Sequence, residues 1–248
     1  MNTTAAQPQI IHYLPVLTTF LSVVFFTVLF RRYRSKGRGA HLLWWAGGVL
    51  CYGLGTAAEA AVTLWGNSPG LNKTWYIVGA LFGGYPLAQG TVYLLLRRRT
   101  ANILTSATVP IIVILAVLVI LGPTNTGAIE PHRPGGAALG WQWIRWFTPI
   151  INLYAAVFLI GGAALSGWRF AKRRATGHRA VGNALIALGA LLPGIGGGMA
   201  KAGIVEGLYV GELAGLILIW IGYTRCVRRP ALQPAAAAPA EAAAVPAP

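Results

Sequence analysis

The sequence predicts an all-helical, polytopic membrane protein with seven transmembrane helices, N-terminus outside and C-terminus cytoplasmic. Three observations lead there. The 248-residue chain is 56% hydrophobic and only 10% charged, where a soluble domain is about 25% charged. Its apolar residues gather into runs of the roughly 20 residues that a helix needs to cross a bilayer. Sixteen of the twenty Lys and Arg fall in segments 31–38, 97–99, 169–179 and 225–229, and the segments between them hold the other four. Such asymmetry places the cationic loops in the cytoplasm. Topology and attraction to anionic lipid then account for the net charge of +15, and no nucleic-acid partner is expected.

Taken in order, the first span covers 11–30 and is followed at once by Arg31, Arg32, Arg34, Lys36 and Arg38. A secretory signal carries its positive charge before the apolar run; here it comes after, so this is a spanning helix. The second span, 41–65, has Trp44 and Trp45 near one end and Trp65 at the other. The third, 72–96, ends in Arg97, Arg98 and Arg99. The fourth, 101–121, holds the aliphatic run IIVILAVLVIL, and the loop GPTNTGAIEPHRPGGAALG after it is rich in Gly and Pro and therefore irregular. The fifth, 143–168, enters through Trp141, Trp143 and Trp146, as an interfacial aromatic belt does. A short link joins the sixth, 180–200, to the seventh, 203–224. Residues 230–248 form a Pro/Ala-rich cytoplasmic tail, predicted to be disordered because it cannot build a core. The expected location is the cytoplasmic membrane.

The seventh span concentrates the chemistry. Glu206 and Glu212 lie in an apolar run whose glycines recur every fourth residue, at Gly203, Gly207, Gly211 and Gly215. Small residues at that spacing let another helix approach closely. A carboxyl group in lipid is costly and marks a functional site by default. At about 1.5 Å per residue, Glu212 lies roughly 13 Å in and Glu59, on the second span, roughly 10 Å in from the same side. They are placed to face each other. Two carboxylates in contact in a low dielectric cannot both ionise, so the pair is a candidate proton, cation or polar-ligand site. Glu206 lies near the interface, within reach of Lys201. Tyr209, Tyr85 and Gln89 are further candidate ligand-binding residues within the spans. The run Pro193, Gly194, Gly196, Gly197 and Gly198 predicts a hinge or unwound segment in the sixth span, because proline and glycine both weaken a helix.

Enzyme signatures are missing. The chain has no aspartate, and His12, His41, His132 and His178 all lie near span ends or in loops. No HExxH, P-loop or Ser-His-Asp set is present, and no metal or cofactor is expected. Cys51 and Cys226 make no disulfide framework.

A parallel internal repeat is also legible. A shift of 141 lays Arg38, Gly48, Gly53 and Gly55 on Arg179, Gly189, Gly194 and Gly196. A shift of 132 lays Val78, Gly79, Leu81, Gly83 and Gly90 on Val210, Gly211, Leu213, Gly215 and Gly222. The fourth span is then a linker in a 3+1+3 layout. That layout resembles sugar carriers of the SWEET and PQ-loop type and, more loosely, the microbial rhodopsins. Rhodopsins carry a retinal-binding lysine in mid-helix seven, where this chain has Glu212, so retinal is not implied. The segment WYIVGALFGGYPLAQGTVYLL also resembles uncharacterised seven-helix bacterial membrane proteins. The expected function is a small-molecule or ion-coupled carrier. The alternatives are a receptor for a small or lipid ligand, or a packing subunit that associates with itself or another membrane protein.

Overall fold

The computed structural model describes residues 10–37, 39–173 and 176–227; the predicted tail at 230–248 lies outside them. Among these residues the chain is helical, with two isolated antiparallel bridges in place of a sheet. The helices are α1 (Leu14–Lys36), α2 (Ala40–Trp65), α3 (Pro69–Trp75), α4 (Tyr85–Leu95), α5 (Arg98–Leu121), α6 (Phe147–Ala155), α7 (Gly162–Ala171), α8 (Gly177–Lys201) and α9 (Glu206–Val227). A π-helical stretch, Ala156–Gly161, joins α6 to α7. Six helices among the described residues are long and apolar enough to cross a membrane: α1 with its preceding 3-10 turn, α2, α5, the α6–α7 rod, α8 and α9. The chain is therefore a multi-pass helical membrane protein.

The third predicted span is not one continuous helix. Residues 69–95 run as α3, a π-helical segment Tyr76–Leu81, a non-helical step at Phe82–Gly84, and then α4. The sequence explains the break. Gly83 and Gly84 weaken the helix, and Pro86 lacks an N–H and sits where a new helix tolerates it, in the first turn of α4.

The unwound stretch expected in the sixth span is absent. Pro193, Gly194, Gly196, Gly197 and Gly198 all lie within the unbroken helix α8. Proline has no N–H to give the Gly189 carbonyl, and that oxygen meets α9 instead. A Cβ built on Gly215 would stand 2.5 Å from it. Helix α8 thus stays continuous through Pro193 where its backbone packs directly on α9.

The contacts arrange the helices in a ring. α1 packs on α2 and α9, α2 on α3 and α4, α4 on α6 and α7, α7 on α8, and α8 on α9. Helix α5 stands outside the ring, against α4. Its outward side chains, including Ile103, Ile114 and Ile120, are about 60% exposed. Apolar exposure on that scale suits lipid as the solvent. Glycine sets the closest approaches. Gly182, Gly189 and Gly196 of α8 oppose Gly222, Gly215 and Gly207 of α9: hypothetical Cβ atoms on all but Gly207, which meets the Met199 side chain, stand 2.5–2.7 Å from the facing carbonyl oxygens. Gly211 joins the same face, against Leu192. Gly203 does not: it lies in the α8–α9 link at φ 93°, a left-handed conformation that glycine adopts without strain.

Candidate functional site: a buried carboxyl pair

Glu59 lies near the end of α2, with 2% of its surface exposed. Gly55, one turn earlier, sets its surroundings. A Cβ there would stand 3.3 Å from the Gly79 Cα, so α2 and the π-helical segment nearly touch. That contact brings Trp75 within reach, and its indole Nε1–H donates to Glu59 Oε1 at 2.8 Å. The other face of the carboxyl meets α9. The Glu59 and Glu212 side chains lie within hydrogen-bonding reach of each other. Oε2 of each residue is buried with no hydrogen-bond partner. The Tyr52 hydroxyl donates to the Glu212 backbone carbonyl at 2.8 Å, fixing the register of α2 on α9.

Two carboxyl groups that meet inside a low-dielectric bundle must share a proton or hold a cation between them, because two bare carboxylates there repel. No group of three or more His, Cys, Asp or Glu that would hold a metal ion occurs among the described residues.

Above the pair, toward the end of the bundle that carries the 122–146 loop, sits Tyr209, 1% exposed and close enough to feel the charges of Glu59, Glu212 and Arg133. Its ring lies edge-on to His12 at 5.9 Å. The loop, though irregular, is firmly held. Asn67 donates to the carbonyls of Glu130 and Arg133, both at 3.0 Å. Asn72 exchanges two hydrogen bonds of 2.9 Å with Gly135. Arg133 pairs with Glu130 at 2.6 Å and reaches the Ala200 carbonyl at 3.3 Å. The loop thus bridges the end of α2 to the end of α8, across the mouth above the pair.

The remaining predicted residues separate from this site. Glu206 is the first residue of α9, where a carboxylate complements the helix dipole. The expected Lys201–Glu206 ion pair does not form: among the described residues the only salt bridge is Arg133–Glu130. Tyr85 and Gln89 belong to a different network. Tyr85 bonds Thr108 at 2.6 Å, and Gln89 donates to Thr105 at 2.6 Å while accepting from Tyr154 at 2.6 Å. These bonds fasten α5 and α6 to α4 and leave Gln89 satisfied. Sequence reasoning missed Trp75 and the Asn67–Arg133 bridge. A buried indole N–H needs an acceptor, and that demand was the available signal for Trp75. Nothing in the spacing pairs Asn67 with a loop more than sixty residues away. No protein-family model, curated protein or solved structure matches this chain.

Proposed function

We propose that this protein is a proton- or cation-coupled carrier of small molecules in the cytoplasmic membrane, crossing it seven times with its N-terminus outside. The observation that carries the proposal is the Glu59–Glu212 contact between α2 and α9, the two helices that flank α1 in the ring. The seventh crossing is the interrupted segment 69–95, long enough at about 1.5 Å per residue to span with its break. The Lys and Arg distribution supports the orientation.

The internal repeat gains support from packing. Under the two shifts, the close pair Gly55–Gly79, 3.3 Å from a hypothetical Cβ on Gly55 to the Gly79 Cα, corresponds to the close pair Gly196–Gly211, 3.7 Å from a hypothetical Cβ on Gly211 to the Gly196 Cα. That of Gly48 to the Leu87 nitrogen, 2.8 Å, corresponds to Gly189 against the Ile219 nitrogen, 2.9 Å. That of Gly90 to the His41 carbonyl, 3.0 Å, corresponds to Gly222 against the Gly182 carbonyl, 2.5 Å. Three matched contacts are a stronger sign than matched glycines alone. The position of α5 outside the ring suits a linker, and parallel repeats are a common plan for carriers. The broken helix expected of a carrier is in the third segment, bordering Glu59.

A receptor is the second reading, favoured by one observation. Beyond the pair, Val49, Leu87, Leu159 and Leu216 form a buried apolar cluster that lies across the way to the other end of the bundle. The glycines of α9 face α8 within the chain, so they lend nothing to a packing subunit.

The test is reconstitution into liposomes containing a pH-sensitive dye, with a panel of small metabolites added outside. Wild type is expected to move protons in response to one of them, and Glu212→Gln to lose that response at equal incorporation. Substrate-driven proton movement undiminished in Glu212→Gln would remove the pair from any coupling role.

A further inference from the structure

Helix α2 carries a polar stripe. At about 100° per residue, Tyr52, Thr56, Glu59 and Thr63 fall within about 60° of one another on its surface. On the far side of Glu59 from the 122–146 loop, the stripe is satisfied. The Tyr52 hydroxyl donates to the Glu212 carbonyl at 2.8 Å, and Thr56 shares a hydrogen bond with Thr19 of α1 at 2.9 Å. On the loop side the pattern changes. Thr63 is 8% exposed, and its Oγ1 is buried with no hydrogen-bond partner among the described residues. A helical threonine often returns its hydroxyl to the carbonyl four residues back, as Thr18 and Thr19 do; Thr63 does not. Helical side chains lean toward the N-terminus of their helix, so Thr63 stands over Glu59, one turn and about 6 Å nearer the loop.

The next oxygen outward is at the mouth. Gly66, at φ 83°, ends α2 and turns the chain toward the loop. Asn67 gives its amide hydrogens to the Glu130 and Arg133 carbonyls, and its own Oδ1 is buried without a partner. Orphan oxygens thus recur from the mouth to the pair, at Asn67 Oδ1, Thr63 Oγ1, Glu59 Oε2 and Glu212 Oε2. A buried polar atom is nearly always partnered, and one that is not needs an explanation. Oxygens in this order can coordinate a small cation or hold water that passes a proton, and they offer an anion little. Arg133 stands at the mouth with its charge offset by Glu130 at 2.6 Å. On the other side of the pair, the apolar cluster around Val49 and Leu216 offers no such oxygens.

We infer that Thr63 is a stepping group on an outer route, by which the ion of the carboxyl pair passes between the mouth under the 122–146 loop and Glu59 with Glu212. The inference deepens the carrier reading and rests on it for the ion's part in coupling. Access to the pair is tested apart from transport.

The probe is Cd²⁺ alone, a hydrophilic cation that a thiolate and carboxylates hold together. The protein carries Cys51→Ala and Cys226→Ala, so that an introduced cysteine is its only thiol, and is studied in lipid nanodiscs. Binding is read as the ultraviolet charge-transfer band of thiolate on cadmium. Thr63→Cys is expected to give a saturable band. Val62→Cys, at the same depth but about 100° round the helix, is expected to give none. Adding Glu59→Gln to Thr63→Cys is expected to weaken binding about tenfold or more, since even an outer partner of a metal ligand is worth about 10–100-fold. Asn72→Ala removes the two hydrogen bonds that tie Gly135 of the loop to α3 and changes no charge. Added to Thr63→Cys, it is expected to speed cadmium entry about tenfold.

The inference is overturned by the lack of a saturable band in Thr63→Cys, by an equal band in Val62→Cys, or by an affinity that Glu59→Gln leaves unchanged. An unchanged rate of entry in the Asn72→Ala variant would overturn the route through the mouth. Cadmium bound at Thr63→Cys as expected, in a protein that moves no protons in liposomes, would fail the carrier reading and leave the route standing. Proton movement that depends on Glu212, with no cadmium bound at Thr63→Cys, would fail the route alone.

Discussion

Glu59 spends one carboxyl oxygen on the Trp75 indole, and its other oxygen is buried without a hydrogen-bond partner beside Glu212. Removing the indole leaves a buried acceptor unmet, which costs about 1–3 kcal/mol. Trp75→Phe is therefore expected to lower the melting temperature in nanodiscs. Glu59→Gln is expected to lower it less, because an amide oxygen still accepts from Trp75 and its N–H₂ can donate to Glu212. Equal losses in the two variants would contradict this division of roles. Both acids were legible in the sequence because a carboxyl in an apolar run is expensive enough to stand out. Their pairing was legible through depth, since a helix has a fixed rise. Trp75 was not, because tryptophan in a membrane segment ordinarily marks an interface, and only the close crossing of Gly55 on the π-helical segment turns this one inward. Tyr85 and Gln89 misled for the opposite reason. They are polar and buried, but α5 supplies the threonines that satisfy them, and composition does not show which buried polar groups find partners.

Helices α8 and α9 form the tightest pair in the ring: Gly182, Gly189 and Gly196 of α8 and Gly211, Gly215 and Gly222 of α9 each face a backbone carbonyl of the other helix. The same chain holds an internal control. Gly215 has no room for a methyl group, with Gly189 O at 2.5 Å from the hypothetical Cβ and Pro193 Cδ at 3.0 Å. Gly194, on the same hairpin, has nothing within 4 Å. Gly215→Ala is expected to cost about 1–3 kcal/mol through overpacking. Gly194→Ala is expected to stabilise by about 0.5–1 kcal/mol through helix propensity. Thermal melts of the two variants check the contrast, and equal effects would contradict it. The glycine spacing of α9 was readable in advance; its partner was not, since the neighbour of a small-residue face depends on topology. The break in the ring was expected at Pro193 and occurs instead at Phe82–Gly84. Propensity weakened both places, and only α8 has a neighbour whose backbone compensates.

At the scale of the whole molecule, helical class and multi-pass character follow from hydropathy alone, since lipid admits few other solutions for an apolar chain of this kind. The order of helices around the ring does not follow from hydropathy, and neither does the position of α5 outside it. Orientation is the next prediction. Alkaline phosphatase, active only outside the cytoplasm, is expected to be active when fused after Gly127 and inactive when fused after Arg99. The reverse pattern would invert the topology and place the carboxyl pair toward the cytoplasm.

The central claim is that Glu59 and Glu212, more than 150 residues apart, act as one buried unit. A double-mutant cycle with Glu59→Leu, Glu212→Leu and the double variant, read as stability in nanodiscs, tests it most directly. Either single change strands the other carboxyl without its partner, whereas the double change removes both together. The double variant is therefore expected to lose less stability than the two singles combined, by about 0.5–3 kcal/mol. Losses that add to within about 0.5 kcal/mol would show the two side chains to be independent and contradict the account.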